Sequence, residues 1–224
     1  MSELYDLPDA DKIDALYEQM ATALAALEHR RSDDVDPEHP LTKILRAREQ
    51  IELLKVPVVV ELAKDYIEKG YSVAVFVNFS STMREMRERL KCDCYIDGTQ
   101  TGNPKGRQIN IDNFVSDRDH SIVVNNKAGG VAVSLPDLKG ERQRVGLVFP
   151  PDSARDLVQL LGRLHRAVSK SACLYRIIFA AGTVEVPMHR RLQMLKNNLD
   201  ALNDADLRPD NLRMSRFDKI TSSV

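Results

Sequence analysis

Cysteine is scarce in this chain: Cys92, Cys94 and Cys173 are the only three among 224 residues. An odd count argues against a disulfide scaffold, and no spacing among them resembles a zinc site. Reduced core thiols are the expectation, which fits a cytoplasmic compartment, a host cytoplasm if the chain is phage-encoded. The five histidines are scattered, with no HExxH-like pair, so no metal centre is expected. No apolar run approaches the roughly 20 residues needed to span a bilayer, so no membrane partner is expected. The opening MSELYDLPDADK is acidic, unlike a signal or transit peptide. Net charge is nearly absent, at −1, which excludes a polycation built to coat nucleic acid.

What charge there is lies unevenly. Residues 1–40 hold eleven acids and three bases, whereas residues 139–196 hold eleven bases and four acids. This asymmetry points to an anion-facing surface in the C-terminal half.

The first third of the chain has helical texture. Ile13, Leu16, Tyr17, Met20, Leu24 and Leu27 recur at helical spacing. RRSDDVDPEHP then makes a polar, proline-containing break. A second helix is expected from Thr42 to Leu54, and a third from Pro57 to a glycine stop at Gly70. Beyond it, short apolar runs (SVAVFVNF, CYIDG, HSIVVNNK, RVGLVFPP, CLYRIIFAA) alternate with helical segments. Such alternation predicts an α/β fold, a parallel sheet with helices on both faces. The expected division is residues 1–40 as an N-terminal helix and acidic linker, 41–206 as the α/β domain, and 207–224 as a polar tail.

Ligands gather at the carboxyl ends of strands in such a sheet. The loops there read NFSS (78–81), DGTQTG (97–102), NNKAGG (125–130), PPDS (150–153) and AAGT (180–183). They are small, polar and glycine-rich, with free backbone N–H groups where a phosphate can sit. After PPDS, Ser153 is placed to cap a helix on which Leu157, Leu160, Leu161 and Leu164 form one face. Gln159, Arg163 and Arg166 fall roughly opposite, on a stripe expected to point outward. Arginine's planar, permanently charged fork suits phosphate oxygens.

The run QLLGRLHR (159–166), as Q-x-x-G-R-x-x-R, resembles motif VI of superfamily-2 helicases and translocases. IVVNNKAGGVAVSL resembles motif V of their Swi/Snf-like branch. VAVFVNFSSTMREM resembles motif IV, and IDGTQ, with Arg107 and Phe114 behind it, the element that follows. The order and spacing match across about residues 41–204. The later stretches look particularly like helicases carried by phages and large DNA viruses. The resemblance implies the second of two RecA-like domains, here with an N-terminal helical extension. Arg163 and Arg166 would then be arginine fingers, with Gln159 beside them, and Gly130 and Gly162 would lie at the nucleotide. Asn78, Ser80, Gly98, Thr99, Asn126, Lys127 and Gly129 would meet nucleic-acid phosphates, of DNA or alternatively RNA. Motif V departs from the family at Asn126, usually Thr, and at Ala132. Asn126 is still expected to donate to a phosphate.

There is no G-x-x-x-x-G-K-[ST] in the chain, and no D-E-x-[DH] follows an apolar strand. The chain is therefore expected to carry the arginine half of an ATPase site and to be inactive alone. ATP and Mg2+ would bind only when a Walker-A-containing first domain, in cis or in trans, completes it. The alternative is a non-catalytic RecA-like module that grips single-stranded or branched DNA or docks on a replication or repair protein.

Overall fold

A computed structural model describes residues 2–28, 39–102, 104–127, 133–151 and 153–190. Gly129, Gly130, Ala132, most of the acidic linker and the C-terminal tail lie outside the described residues. Six strands form one parallel sheet: β1 (Ser2–Tyr5), β2 (Ser72–Val77), β3 (Tyr95–Ile96), β4 (Ser121–Asn125), β5 (Arg144–Val148) and β6 (Leu174–Ala180). Their order across the sheet is β1-β6-β5-β2-β4-β3. β2 and β5 are buried at every residue, on both faces, as the continuous apolar runs require. The helices are α1 (Ala10–Glu28), α2 (Pro40–Glu68), α3 (Ser80–Leu90), α4 (Pro104–Val115) and α5 (Ala154–Leu161). Residues 185–190 are also helical. No described helix is long and apolar enough to cross a membrane.

Two features differ from the sequence expectation. The acidic opening includes an edge strand, β1, paired with β6 in register Leu4 to Phe179. Four residues of mixed polarity carry too little pattern to announce a strand. The second and third helices are also one: α2 runs for 29 residues straight through Pro57. A proline inside a helix removes the hydrogen bond to residue i−4 and costs about 3 kcal/mol. Pro57 is exposed, while Ala47, Ile51, Val56, Val59, Val60 and Ala63 bury the opposite face on both sides of it. That continuous apolar stripe outweighs the local cost. The helix does stop where the glycine predicts, with Gly70 at φ 87°.

Part of the basic excess is spent inside the fold. Arg144 is fully buried and paired with Asp117, and Arg142 donates to the carbonyls of Ile67 and Tyr71. Cys92 and Cys94 are buried, their thiols donating to carbonyl oxygens of Cys94 and Asn110 respectively. Burial pushes both thiols upward in pKa.

α2 also buries charge. Lys55 Nζ lies 2.6 Å from both carboxylate oxygens of Glu185, at the start of the 185–190 helix. The same carboxylate accepts from Tyr17 of α1 at 2.9 Å and from the Ala180 backbone at 2.7 Å. Removing one partner of a buried pair strands the other, typically at 3–5 kcal/mol. Lys55→Ala should therefore lower unfolding free energy by about that much in urea titration. The apolar double variant Lys55→Met with Glu185→Leu should recover only part of it, because it strands no charge but leaves the Tyr17 hydroxyl and the Ala180 N–H without their acceptor.

Candidate functional site

With every strand parallel, the strand exits share one edge of the sheet. The loops singled out by sequence all leave from that edge. At its centre stands a cavity of about 140 Å³ lined by Asn78, Asn126, Lys127, Pro151, Asp156, Gln159, Leu160 and Arg163. It draws together Gln159, Arg163, Asn78, Asn126 and Lys127 from three of the candidate segments.

α5 begins as its sequence predicts. Ser153 Oγ accepts from the Asp156 backbone at 3.1 Å. Leu157, Leu160 and Leu164 are buried and Leu161 half-buried, so the leucine face packs as expected. The outward arginine stripe is not formed. The helix ends at Leu161, two residues before Arg163. Tyr175 of β6 ends it: its hydroxyl accepts from the Leu164 N–H at 3.1 Å and donates to the Leu161 carbonyl. Tyr175 can lie there because position 146 in β5 is glycine. A Cβ at that position would stand 2.5 Å from the tyrosine ring.

The turn that follows carries Arg163 inward, to 7% exposure. Its guanidinium carbon lies 6.0 Å from the centre of the Phe76 ring. Nη2 donates to the Asn126 carbonyl at 3.4 Å, and Nη1 is buried with no partner among the described residues. Burial holds its pKa below the ordinary guanidinium value, with repulsion from Arg107 and Arg166 acting in the same direction. The group stays charged nonetheless. Gln159 and Arg166 are exposed, as expected. Gly162 has φ −70°, open to any residue, and a Cβ there would meet nothing nearer than 3.5 Å. Neither backbone conformation nor internal packing requires that glycine.

The remaining candidates divide. Ser80, Gly98, Thr99 and Lys127 are exposed on the edge. The Thr99 hydroxyl donates to Asp97 Oδ1 at 2.7 Å, so its proton is held within the loop. Asn78 is committed inside the fold. Its Nδ2 donates to Glu52 Oε2 at 2.7 Å and to the Pro150 carbonyl at 3.1 Å, while its Oδ1 accepts from Asn126 Nδ2 at 2.8 Å. Asn126 therefore spends one of its two amide hydrogens on Asn78, and its Oδ1 is buried without a partner among the described residues. Asn126 thus faces the cavity edge with an acceptor, Oδ1, and with the second hydrogen of Nδ2 still to give.

Sequence reasoning missed Glu52, the buried acid behind this arrangement. Its Oε1 accepts from the backbone N–H groups of Asn78 at 2.9 Å and Phe79 at 3.3 Å. Burial pushes its pKa up, and the donors from Asn78 and Phe79 pull it back. A signal was available: Glu52 shares the apolar face of α2 with Val56 and Val59, at i+4 and i+7.

These placements set the stability expected of single variants in this chain. Arg163→Ala should cost about 1–3 kcal/mol, because it removes buried stem contacts and a hydrogen bond. Arg166→Ala should stay within about 0.5 kcal/mol, the surface norm. Gly162→Ala should be neutral or stabilising by up to about 1 kcal/mol, since alanine accepts the same backbone angles. Denaturant midpoints of the three purified variants check all of this.

No family model matches the chain. It is 38% identical over 200 residues to a protein of Acanthamoeba polyphaga mimivirus named as an ATP-dependent RNA helicase, an alignment covering 89% of this chain. The chain spans about a third of that relative, 36% of its length. Among solved structures it resembles the C-terminal part of the Fun30 ATPase domain, with a TM-score of 0.51 at 16% identity, covering 80% of this chain and 65% of that one. The Hef helicase domain of Pyrococcus furiosus also aligns, with a TM-score of 0.45 at 17% identity, over 81% of this chain and 37% of that one. The chain thus has the RecA-like α/β fold of a helicase domain, and along most of its length its sequence is similar to part of a helicase.

Proposed function

We propose that this chain is the second RecA-like half of an ATP-dependent helicase or translocase, completed by a first RecA-like domain that carries the Walker A and B elements. The observation that carries the reading is Arg163, buried at the strand-exit edge with Nη1 unpartnered and Arg166 nearby. An unpaired buried donor costs about 1–3 kcal/mol in the free domain, more when it is charged. A phosphate oxygen brought by nucleotide in the interdomain cleft would satisfy it. In a site closed from water that interaction would be far stronger than in solvent.

In this reading ATP and Mg2+ are held by the first domain. Arg163 and Arg166 reach the phosphates and stabilise the charge of the transition state, and Gln159 orients them. The glycine at 162, unexplained within the domain, leaves room for close approach by nucleotide or by the first domain, as Gly130 would. Nucleic acid runs over the edge loops, against Ser80, Gly98, Thr99, Lys127 and Gly129, with Asn78 and Asn126 behind them. Such contacts are phosphate-directed and carry little sequence preference. The name of the mimivirus relative makes RNA the first strand to test and DNA the second. Opening and closing of the cleft would move one loop set against the other and so drive the strand. A binding module without an ATP cycle gains nothing from a buried, unpaired arginine, which disfavours that alternative.

Alone, the chain should hydrolyse no ATP. Joined to a first domain with a Walker A motif, it should show nucleic-acid-stimulated ATPase that Arg163→Ala or Arg166→Ala lowers by ~10³-fold, as lost arginine fingers do. Gly162→Ala should lower turnover while leaving the fold intact. Wild-type turnover in both arginine variants, per folded molecule, would sink the proposal.

A further inference from the structure

Glu52 looks at first like a cap. It lies at the N-terminus of α3, where Phe79 contributes no side-chain cap of its own, and it accepts from two backbone N–H groups there. A carboxylate is favoured at such a place by the helix dipole. Capping alone does not account for its second oxygen. Glu52 Oε2 takes one amide hydrogen of Asn78, and the Pro150 carbonyl takes the other. Both contacts can only accept, so Asn78 has one permitted amide orientation, with Oδ1 turned to Asn126. Asn126 must then donate through Nδ2, at 2.8 Å. Among the described residues its own Oδ1 has no partner, and Asn126 lines the same cavity as Arg163, whose Nη1 has none either. The Asn126 backbone is tied in as well: its N–H donates to the Val77 carbonyl at 2.8 Å and its carbonyl receives Arg163 Nη2.

We propose that Glu52 is a positioning residue: through Asn78 it fixes the hydrogen-bond polarity of Asn126 and, through the Asn126 carbonyl, the seat of Arg163. The consequence for catalysis rests on the reading that Arg163 contacts nucleotide; the consequence for the side chains does not. α2 thereby joins the candidate site, although none of its residues lines that cavity.

Glu52→Gln separates capping from positioning. Glutamine fills the same space and keeps one oxygen for the backbone N–H groups of residues 78 and 79. Its NH2 then faces the Asn78 NH2, a repulsive pairing that Asn78 relieves by inverting, at the cost of turning Oδ1 to the Pro150 carbonyl, and Asn126 inverts after it. Adding Asn126→Asp should compensate. Aspartate accepts from the inverted Asn78 and again turns an oxygen to the cavity, at unchanged total charge.

The first readout is the NMR signals of the Asn78 and Asn126 side-chain amides and the Arg163 guanidinium in this chain. Glu52→Gln should move all three, and the double variant should bring the Arg163 signal back. If Glu52→Gln changes stability while the Asn126 and Arg163 signals stay in place, Glu52 is a cap and the proposal fails. If Glu52→Gln does not fold, recovery of the fold by Asn126→Asp supports the proposal and lack of recovery overturns it.

The second readout is ATPase of the chain joined to a Walker-A domain. Glu52→Gln should lower kcat by roughly 10²-fold, the scale of a misplaced catalytic group, and Asn126→Asp on top should restore most of it. Loss of turnover in Arg163→Ala but not in Glu52→Gln, with unmoved spectra, would overturn the role of Glu52 alone. Moved spectra with turnover indifferent to Arg163 would leave the positioning intact and overturn the arginine reading.

Discussion

Two opposite charges buried one turn apart on α2 have to be answered, and the carboxyl edge of the sheet is assembled from the answers. Lys55 is met by Glu185 and the Ile178 carbonyl, which fixes the exit of β6. Glu52 is met by Asn78 and Phe79, which fixes the exit of β2. Neither charge could be buried bare, because the desolvation penalty of an unpaired ion amounts to several kcal/mol. The helical layer is therefore tied to the edge by directional contacts, in addition to apolar packing that could slide. Tyr17 extends the tie to α1 through the Glu185 carboxylate.

A second chain of causes shapes the arginine turn, and it starts from an absence of side chain. Gly146 leaves space in the middle of the sheet for the Tyr175 ring. The tyrosine hydroxyl takes over the last turn of α5, and the chain bends at Gly162. Leu164 still reaches the core, fully buried. Arg163, which a continued helix would have carried outward, falls between the Phe76 ring and the Asn126 carbonyl.

These long-range causes decide what could be read from the sequence. The central strands were legible because each is a continuous apolar run whose burial on both faces needs no partner to be named. The start of α5 was legible because an N-cap is a local hydrogen bond between Ser153 and Asp156. The leucine face was legible for the same kind of reason, a period that holds whether or not the helix does. The inward turn of Arg163 was not, since it depends on Tyr175 and Gly146, which are distant in sequence. Helix α2 misled because proline is a strong breaker only where the surrounding stripe is weak. Glu52 misled because a glutamate in a charged helix looks solvated until its neighbours on the same face are counted.

The two chains of causes meet at one residue. Asn126 takes its side-chain orientation from α2 by way of Asn78 and lends its carbonyl to the arginine that Tyr175 has turned inward. Among the described residues, two of the buried polar atoms left without partners, Asn126 Oδ1 and Arg163 Nη1, belong to this junction. The others, Thr82 Oγ1, Asp117 Oδ2 and Arg142 Nε, lie elsewhere, on residues other than those lining the cavity. At the junction an acceptor and a cationic donor without partners belong to residues that line one cavity. In the proposed function, the free energy withheld there in the isolated domain is regained when a bound molecule supplies the missing partners. This is how a preorganised site differs from a merely charged surface.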